Sequence, residues 1–174
     1  MNYRRSTLLL NPAPYRANKI PANILRARNE FLRSEFMSTF GLIEYKDANP
    51  AVKAVYDDIM ATRKTDYINN FWKAIAHDPA LLKRTWEDLK AIMGPGAIDP
   101  LTKELLYIAV SVTNNCQYCI ASHTASAFAK GMTPEVFKEL QAVIGMANET
   151  NKLVTGYQVA VDARFQPPLD VNKK

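Results

Sequence analysis

Four times after Met37, a side chain able to cap a helix stands directly before a proline: Asn49-Pro50, Asp78-Pro79, Asp99-Pro100 and Thr133-Pro134. Proline at the first helical position gives up no hydrogen bond, and the residue before it can accept from the free amides of the first turn. Each pair therefore marks where a helix begins. Gly94, after LLKRTWEDLKAIM, and Gly131, after CIASHTASAFAK, supply matching stops. Between these anchors the apolar spacing predicts helices over 22–36, 50–63, 66–76, 79–93, 100–113, 115–130, 134–146 and 150–163. No alternating strand pattern competes, and the short connections imply packed neighbouring helices. The expected fold class is all-α.

An apolar share of 48% with 22% charged residues is that of an ordinary globular domain. The longest apolar run, LLYIAVSV at 105–112, falls well short of the roughly 20 residues that span a bilayer, so no membrane association is expected. The net charge of +5 is confined to one end. Residues 1–36 hold seven Lys or Arg against two Glu, whereas the remainder holds 15 basic and 15 acidic groups. A neutral body offers no footprint for phosphate, and no nucleic-acid partner is expected. The composition becomes that of a compact domain at Met37, which divides the chain into an N-terminal arm, leader or misassigned start over 1–36 and a helical domain over 37–174. The first 29 residues lack acids, a weak match to a mitochondrial transit peptide, and the leucine stub at 8–10 is too short for a signal peptide. The arm or misassigned start is the preferred reading, with a cytoplasmic protein.

Tyr67, Phe71, Trp72 and Trp86 have helical spacing beside Ile68, Ile75, Leu82 and Leu89, which reads as core packing rather than a ligand box. His77 sits before the Asp78 cap at a helix junction, where a polar ring reaches water or a free carbonyl.

The chemistry is concentrated in NNCQYCIASH, residues 114–123, which contains both cysteines of the chain. At 100° per residue, Cys116, Cys119 and His123 fall within an arc of about 60° on a helix, with His123 one turn beyond Cys119. Zinc would need a fourth ligand that the sequence does not specify at zinc spacing. A structural disulfide fits poorly, because Cβ atoms three apart on a helix lie about 5–6 Å from each other and a disulfide wants about 3.5–4.5 Å. A bond closed with distortion over so short a loop is easily reduced, which suits one made and broken in turnover. A thioredoxin-like motif would follow a strand, and none precedes Cys116. The early turn of the helix and the imidazole of His123 are both expected to lower the Cys119 thiol. An antiparallel fold-back at TNN would bring Glu104 level with His123. That carboxylate, flanked by Leu101, Leu105, Ile108 and Val112, would need a partner.

Glu104, Cys116, Cys119 and His123, spaced E-x11-C-x-x-C-x3-H, resemble the signature of the alkylhydroperoxidase D-like (AhpD-like) proteins of the carboxymuconolactone decarboxylase superfamily. The similarity extends upstream through FWKAIAHDPALLKRTWEDLKAIMGPGAIDPLTKELLYIAVS and downstream through SHTASAFAKGMTPEVFKEL, covering about residues 40–164. The resemblance implies an all-α AhpD-like helical bundle with the Cys-x-x-Cys motif on a central helix, assembled as a homotrimer or homohexamer. It implies thiol peroxidase chemistry in which Cys119 attacks a peroxide, Cys116 resolves the sulfenic acid, and an external dithiol or thiol protein restores the pair. No metal, haem, flavin or other cofactor is called for. True decarboxylases of the superfamily lack the cysteine pair. Some members carry histidine just before the second cysteine, where this chain has Tyr118. Two other readings of the pair stay open at this point: disulfide reduction or exchange with a partner protein, and a non-catalytic oligomeric helical module with a zinc site.

Overall fold

The computed structural model describes residues 38–165. The expected helix at 22–36 and the arm at 1–36 lie outside the described residues. Six α-helices and two short 3-10 turns make up the regular structure, with no strand among the described residues. The helices are α1 (Pro50–Arg63), α2 (Asn70–Ile75), α3 (Pro79–Met93), α4 (Pro100–Thr113), α5 (Gln117–Ala129) and α6 (Pro134–Gly156). The all-α expectation holds.

All four cap-proline pairs open a helix. Asn49 Oδ1 accepts from the Val52 amide, Asp78 Oδ1 from Ala80 and Leu81, Asp99 Oδ1 from Thr102, and Thr133 Oγ1 from Val136. The starts of α1, α3, α4 and α6 consequently match the sequence reading to the residue. Two other expectations need correction. The helix expected at 66–76 is only Asn70–Ile75, because Thr65 Oγ1 accepts from the Tyr67 amide in a side-chain turn that competes with helix there. The separate helices expected at 134–146 and 150–163 are one helix to Gly156. Asn148 does not cap a new start; its Nδ2 donates back to the Ile144 carbonyl 2.9 Å away, and Thr150 Oγ1 does likewise to Met146. Both side chains satisfy themselves without breaking the backbone ladder.

The chain divides into two compact units between Arg84 and Thr85. In the first, Val52, Val55, Tyr56 and Ile59 of α1 are buried, as are Ile68, Trp72 and Ala76 at successive four-residue steps. Tyr67 and Phe71 are exposed, so only half of the expected aromatic core is core. Their side chains leave on the other side of that four-residue stripe. His77 is exposed, with Nε2 3.4 Å from the Gly41 carbonyl.

The second unit carries the cysteines. α4 packs against α5 and α6, around fully buried Ile108 and Ala127 with Met132, bordered by Leu101, Leu105, Val112, Phe137 and Leu140. Each end of α5 is set by a hydrogen-bonded reversal. At the α4–α5 corner, Asn115 takes a left-handed conformation (φ 57°), its amide donates to Val112, and the Cys116 amide donates to Ser111 at 2.9 Å. This is a Schellman ending, in which the left-handed residue lets two orphan carbonyls be satisfied. At the far end Gly131 (φ 93°) plays the same part, and the Met132 amide reaches Ala127. The two ends of that second reversal, Met132 and Ala127, are both in the core cluster.

Candidate active site

Cys116 belongs to two helices at once. Its amide closes the end of α4, and its Sγ accepts from the Cys119 amide at 3.3 Å, making it the N-cap of α5. The expected helix 115–130 is therefore Gln117–Ala129, and Cys116 (φ −85°, ψ 87°) stands outside the helical register used to place all three side chains on one arc. Its sulfur faces the free amides of the first turn, where partial positive charge collects. Cys119 is one turn inside. Both cysteines are half-buried thiols without a disulfide.

The corner also folds α5 back along α4, and three polar levels form along the seam. At the first, the Cys119 amide donates to Cys116 Sγ, and the buried Ser111 acts on the Cys119 thiol. At the second, the Tyr107 ring stacks on His123, with centroids 3.6 Å apart and planes 17° from parallel. At the third lies Glu104, only 4% exposed. His123 Nδ1–H donates to Glu104 Oε2 at 2.6 Å, and Lys130 Nζ donates to Oε1 at 2.8 Å. The fold-back expected at TNN thus delivers Glu104 to His123, and the partner that its apolar flanks demanded is double. Burial pushes the Glu104 carboxyl up, but hydrogen bonds from His123 and Lys130 and the positive charge of Lys130 outweigh it, leaving the carboxyl below its ordinary range.

The expectation for Cys119 is overturned. Burial first, then the hydrogen bond and charge of Cys116, push its thiol up to about 11, against smaller lowering by Ser111 and the local backbone. His123 makes no hydrogen bond to either sulfur; its bonded partner is Glu104. The imidazole lies one turn from Cys119, as the register required, but it is turned to the carboxylate and sandwiched by Tyr107.

Both sulfurs open onto a cavity of about 750 Å³ whose other walls include Ile98, Leu106, Tyr107 and Val110. Lys103, also on its lining, donates to the carbonyls of Ile92 and Gly94 at 2.7 and 2.6 Å and so ties the end of α3 to α4. Apart from Lys103 and the thiol end, the cavity walls are mainly apolar. Among the described residues no group of three or more His, Cys, Asp or Glu converges as a set of metal ligands, and no helix is long and apolar enough to cross a membrane. Tyr118, at the position of the departure from the family pattern, is 45% exposed.

Tyr107, Ser111 and Lys130 are site residues that the sequence reading did not single out. A signal was present for each. Tyr107 and Ser111 follow Glu104 by three and seven residues, so they share its helix face, and Lys130 follows His123 by seven on the facing helix.

Comparison with known proteins bears on the family and the fold. Residues 79–162 match the family model described as the carboxymuconolactone decarboxylase family. The crystal structure of an alkylhydroperoxidase AhpD core from Rhodospirillum rubrum is similar over 68% of this chain and 88% of its own, at 58% sequence identity and a TM-score of 0.66. Comparison with curated proteins gives no match. At that identity and coverage, with an all-helical fold, the chain belongs to the AhpD-like proteins of the carboxymuconolactone decarboxylase superfamily.

Proposed function

We propose that this protein is a thiol-dependent peroxidase, an alkylhydroperoxidase that reduces alkyl or hydrogen peroxides at Cys119. The observation that carries the reading is a Glu104-bonded His123 one helical turn from a dithiol that lines a mainly apolar cavity. It is supported by the alkylhydroperoxidase from Rhodospirillum rubrum at 58% identity.

The reaction needs a thiolate, and a thiol pushed up to about 11 supplies almost none at neutral pH. Proton removal must then accompany attack, which is the task of a general base. His123, with Nδ1–H held by Glu104, presents Nε2 as the acceptor for the thiol proton, directly or through water. As the proton leaves, Cys119 sulfur attacks the distal peroxide oxygen and the O–O bond breaks. The departing alkoxide takes the proton from His123 to give the alcohol, and Cys119 is left as a sulfenic acid. Cys116 sulfur attacks that sulfenic acid, forming the Cys116–Cys119 disulfide and releasing water. An external dithiol or thiol-protein reductant returns both sulfurs to thiols. The apolar walls at Leu106, Tyr107 and Val110 suit the organic part of the peroxide.

Stopped-flow oxidation with hydrogen peroxide and cumene hydroperoxide, followed by mass spectrometry, tests the assignment. Cys119→Ser is expected to abolish peroxide reduction, and Cys116→Ser to leave a dimedone-reactive sulfenic acid on Cys119. Retained activity in Cys119→Ser with dimedone on Cys116 would reverse the roles. The same reading carries assembly as a homotrimer or homohexamer, supported by the exposed apolar side chains of Leu106, Val110, Val143 and Met146. Light scattering that reports a monomer at micromolar concentration would count against it.

A further inference from the structure

The reaction assigns Lys130 no step, yet it holds half of the Glu104 carboxylate. A carboxylate that is 4% exposed must have its charge compensated nearby. Were His123 its sole partner, compensation would require imidazolium, and the carboxylate and imidazole would retain a proton between them. An imidazolium has no lone pair and cannot act as a base. A second cation changes the balance.

We propose that Lys130 is a positioning residue of the site: by neutralising Glu104 at Oε1, it lets His123 remain uncharged at Oε2, with its Nε2 lone pair open to a thiol proton. The inference rests on the reading of His123 as the base in thiol oxidation. Three features suit Lys130 to the role. Its backbone sits at the C-cap of α5, where its amide donates to Ser126 and Ala127 and where a cation is favoured by the helix dipole. Its stem is long enough to carry Nζ back to Glu104 Oε1, 2.8 Å away. Its side chain is 37% exposed against 6% for Glu104, so the ammonium keeps part of its hydration while the carboxylate has little.

The remaining groups around His123 do not substitute for it. From α4, besides Glu104, comes the stacked phenol of Tyr107. On α5 itself Cys119 lies one turn before the imidazole, with Cys116 beyond it. From α6, Lys138 and Glu139 are exposed, and the charged partners of Glu104 are His123 and Lys130.

The test uses the full chain with Lys130→Met, which removes the charge and keeps the stem, and Lys130→Arg, which restores a cation. The protein has two histidines, so the Cε1–H resonance of His123 is assigned by His77→Gln and followed against pH. In Lys130→Met, uptake of the ring proton is expected about one pH unit higher than in wild type, at the lower end of the range for an ionic neighbour because Lys130 is partly hydrated. Lys130→Arg is expected to return it towards the wild-type position. The acid limb of the peroxide reduction rate should move with it. An unchanged or downward movement in Lys130→Met, with the fold intact by circular dichroism, overturns the inference. Movement of the resonance without movement of the acid limb upholds Lys130 as the group that sets the imidazole's charge, and refutes His123 as the base.

Discussion

Cys116→Ser isolates what holds the Cys119 proton. The Cys119 thiol stands at about 11, and of the three influences that raise it, two are the hydrogen bond and the charge of Cys116. Serine removes the charge and keeps a side chain that caps well, so the Cys119 amide retains an acceptor and α5 its start. Burial is then left against the lowering by Ser111 and the local backbone. We expect the midpoint of Cys119 ionisation to fall by about one unit, which at pH 8 raises the thiolate fraction about tenfold. Thiolate reactivity drops as basicity drops, by about threefold per unit, so the alkylation rate at pH 8 should rise only about threefold. Iodoacetamide labelling from pH 7 to 12, read by mass spectrometry on the Cys119 peptide, separates midpoint from plateau rate. Wild-type Cys119 has to be compared with Cys116 already distinguished by mass. If Cys119 in Cys116→Ser still titrates near 11, burial alone sets the thiol and the attribution to its neighbour is wrong. The linked effect on stability has a definite sign: a thiol raised by folding stabilises fully below its ordinary value of 9.0 and loses that contribution as pH climbs towards about 11.

Two further outcomes are expected. Ile108→Ala, at a site with no exposed surface in the core beneath Glu104, should cost about 2–5 kcal/mol, and Ile108→Val about 1 kcal/mol, by urea denaturation; equal losses would show that the core collapses around the cavity. Because the Glu104 carboxyl is lowered by folding, its contribution is present above the ordinary value of 4.5 and is lost as pH falls below it, so Glu104→Gln should flatten the acid side of the stability profile; an unchanged acid slope would mean that other carboxylates carry it.

Local signals were the legible ones. A capping side chain followed by proline acts within one turn, so four helix starts could be read without any knowledge of packing. The ends were less legible. Nothing at residues 147–149 distinguishes a chain that stops from one that continues, because Asn148 can cap or can bond back four residues, and the fold selects the second. The corner at 114–116 was read as a fold-back but not as a Schellman ending, since asparagine announces the left-handed conformation less plainly than glycine does. That omission put Cys116 inside the helix instead of at its N-cap, while the wrong direction for Cys119 came first from its burial. Helical register predicted nearness between His123 and Cys119, and the fold-back brought Glu104 level with His123, but neither announced the Tyr107 ring stacked on the imidazole. Lys130 was invisible for a different reason: a lysine at a helix end is usually solvated, and its value depends on a carboxylate 26 residues away.

The span of that contact bears on how the site comes into existence. Glu104 and His123 are separated by 19 residues, and Glu104 and Lys130 by 26. Each doubling of such a loop adds about 0.6 kcal/mol of closure entropy, so a site drawn from segments four times farther apart would start about 1.2 kcal/mol behind. Contacts this close in sequence also form early, because little chain must be searched before they are rewarded. Closure of the single corner at Asn114–Cys116 brings thiols, imidazole and carboxylate into register together. A substitution that loosens Asn115 should therefore slow folding of the hairpin and misplace the chemistry in one stroke, whereas the same loss of stability applied to α1 should spare both.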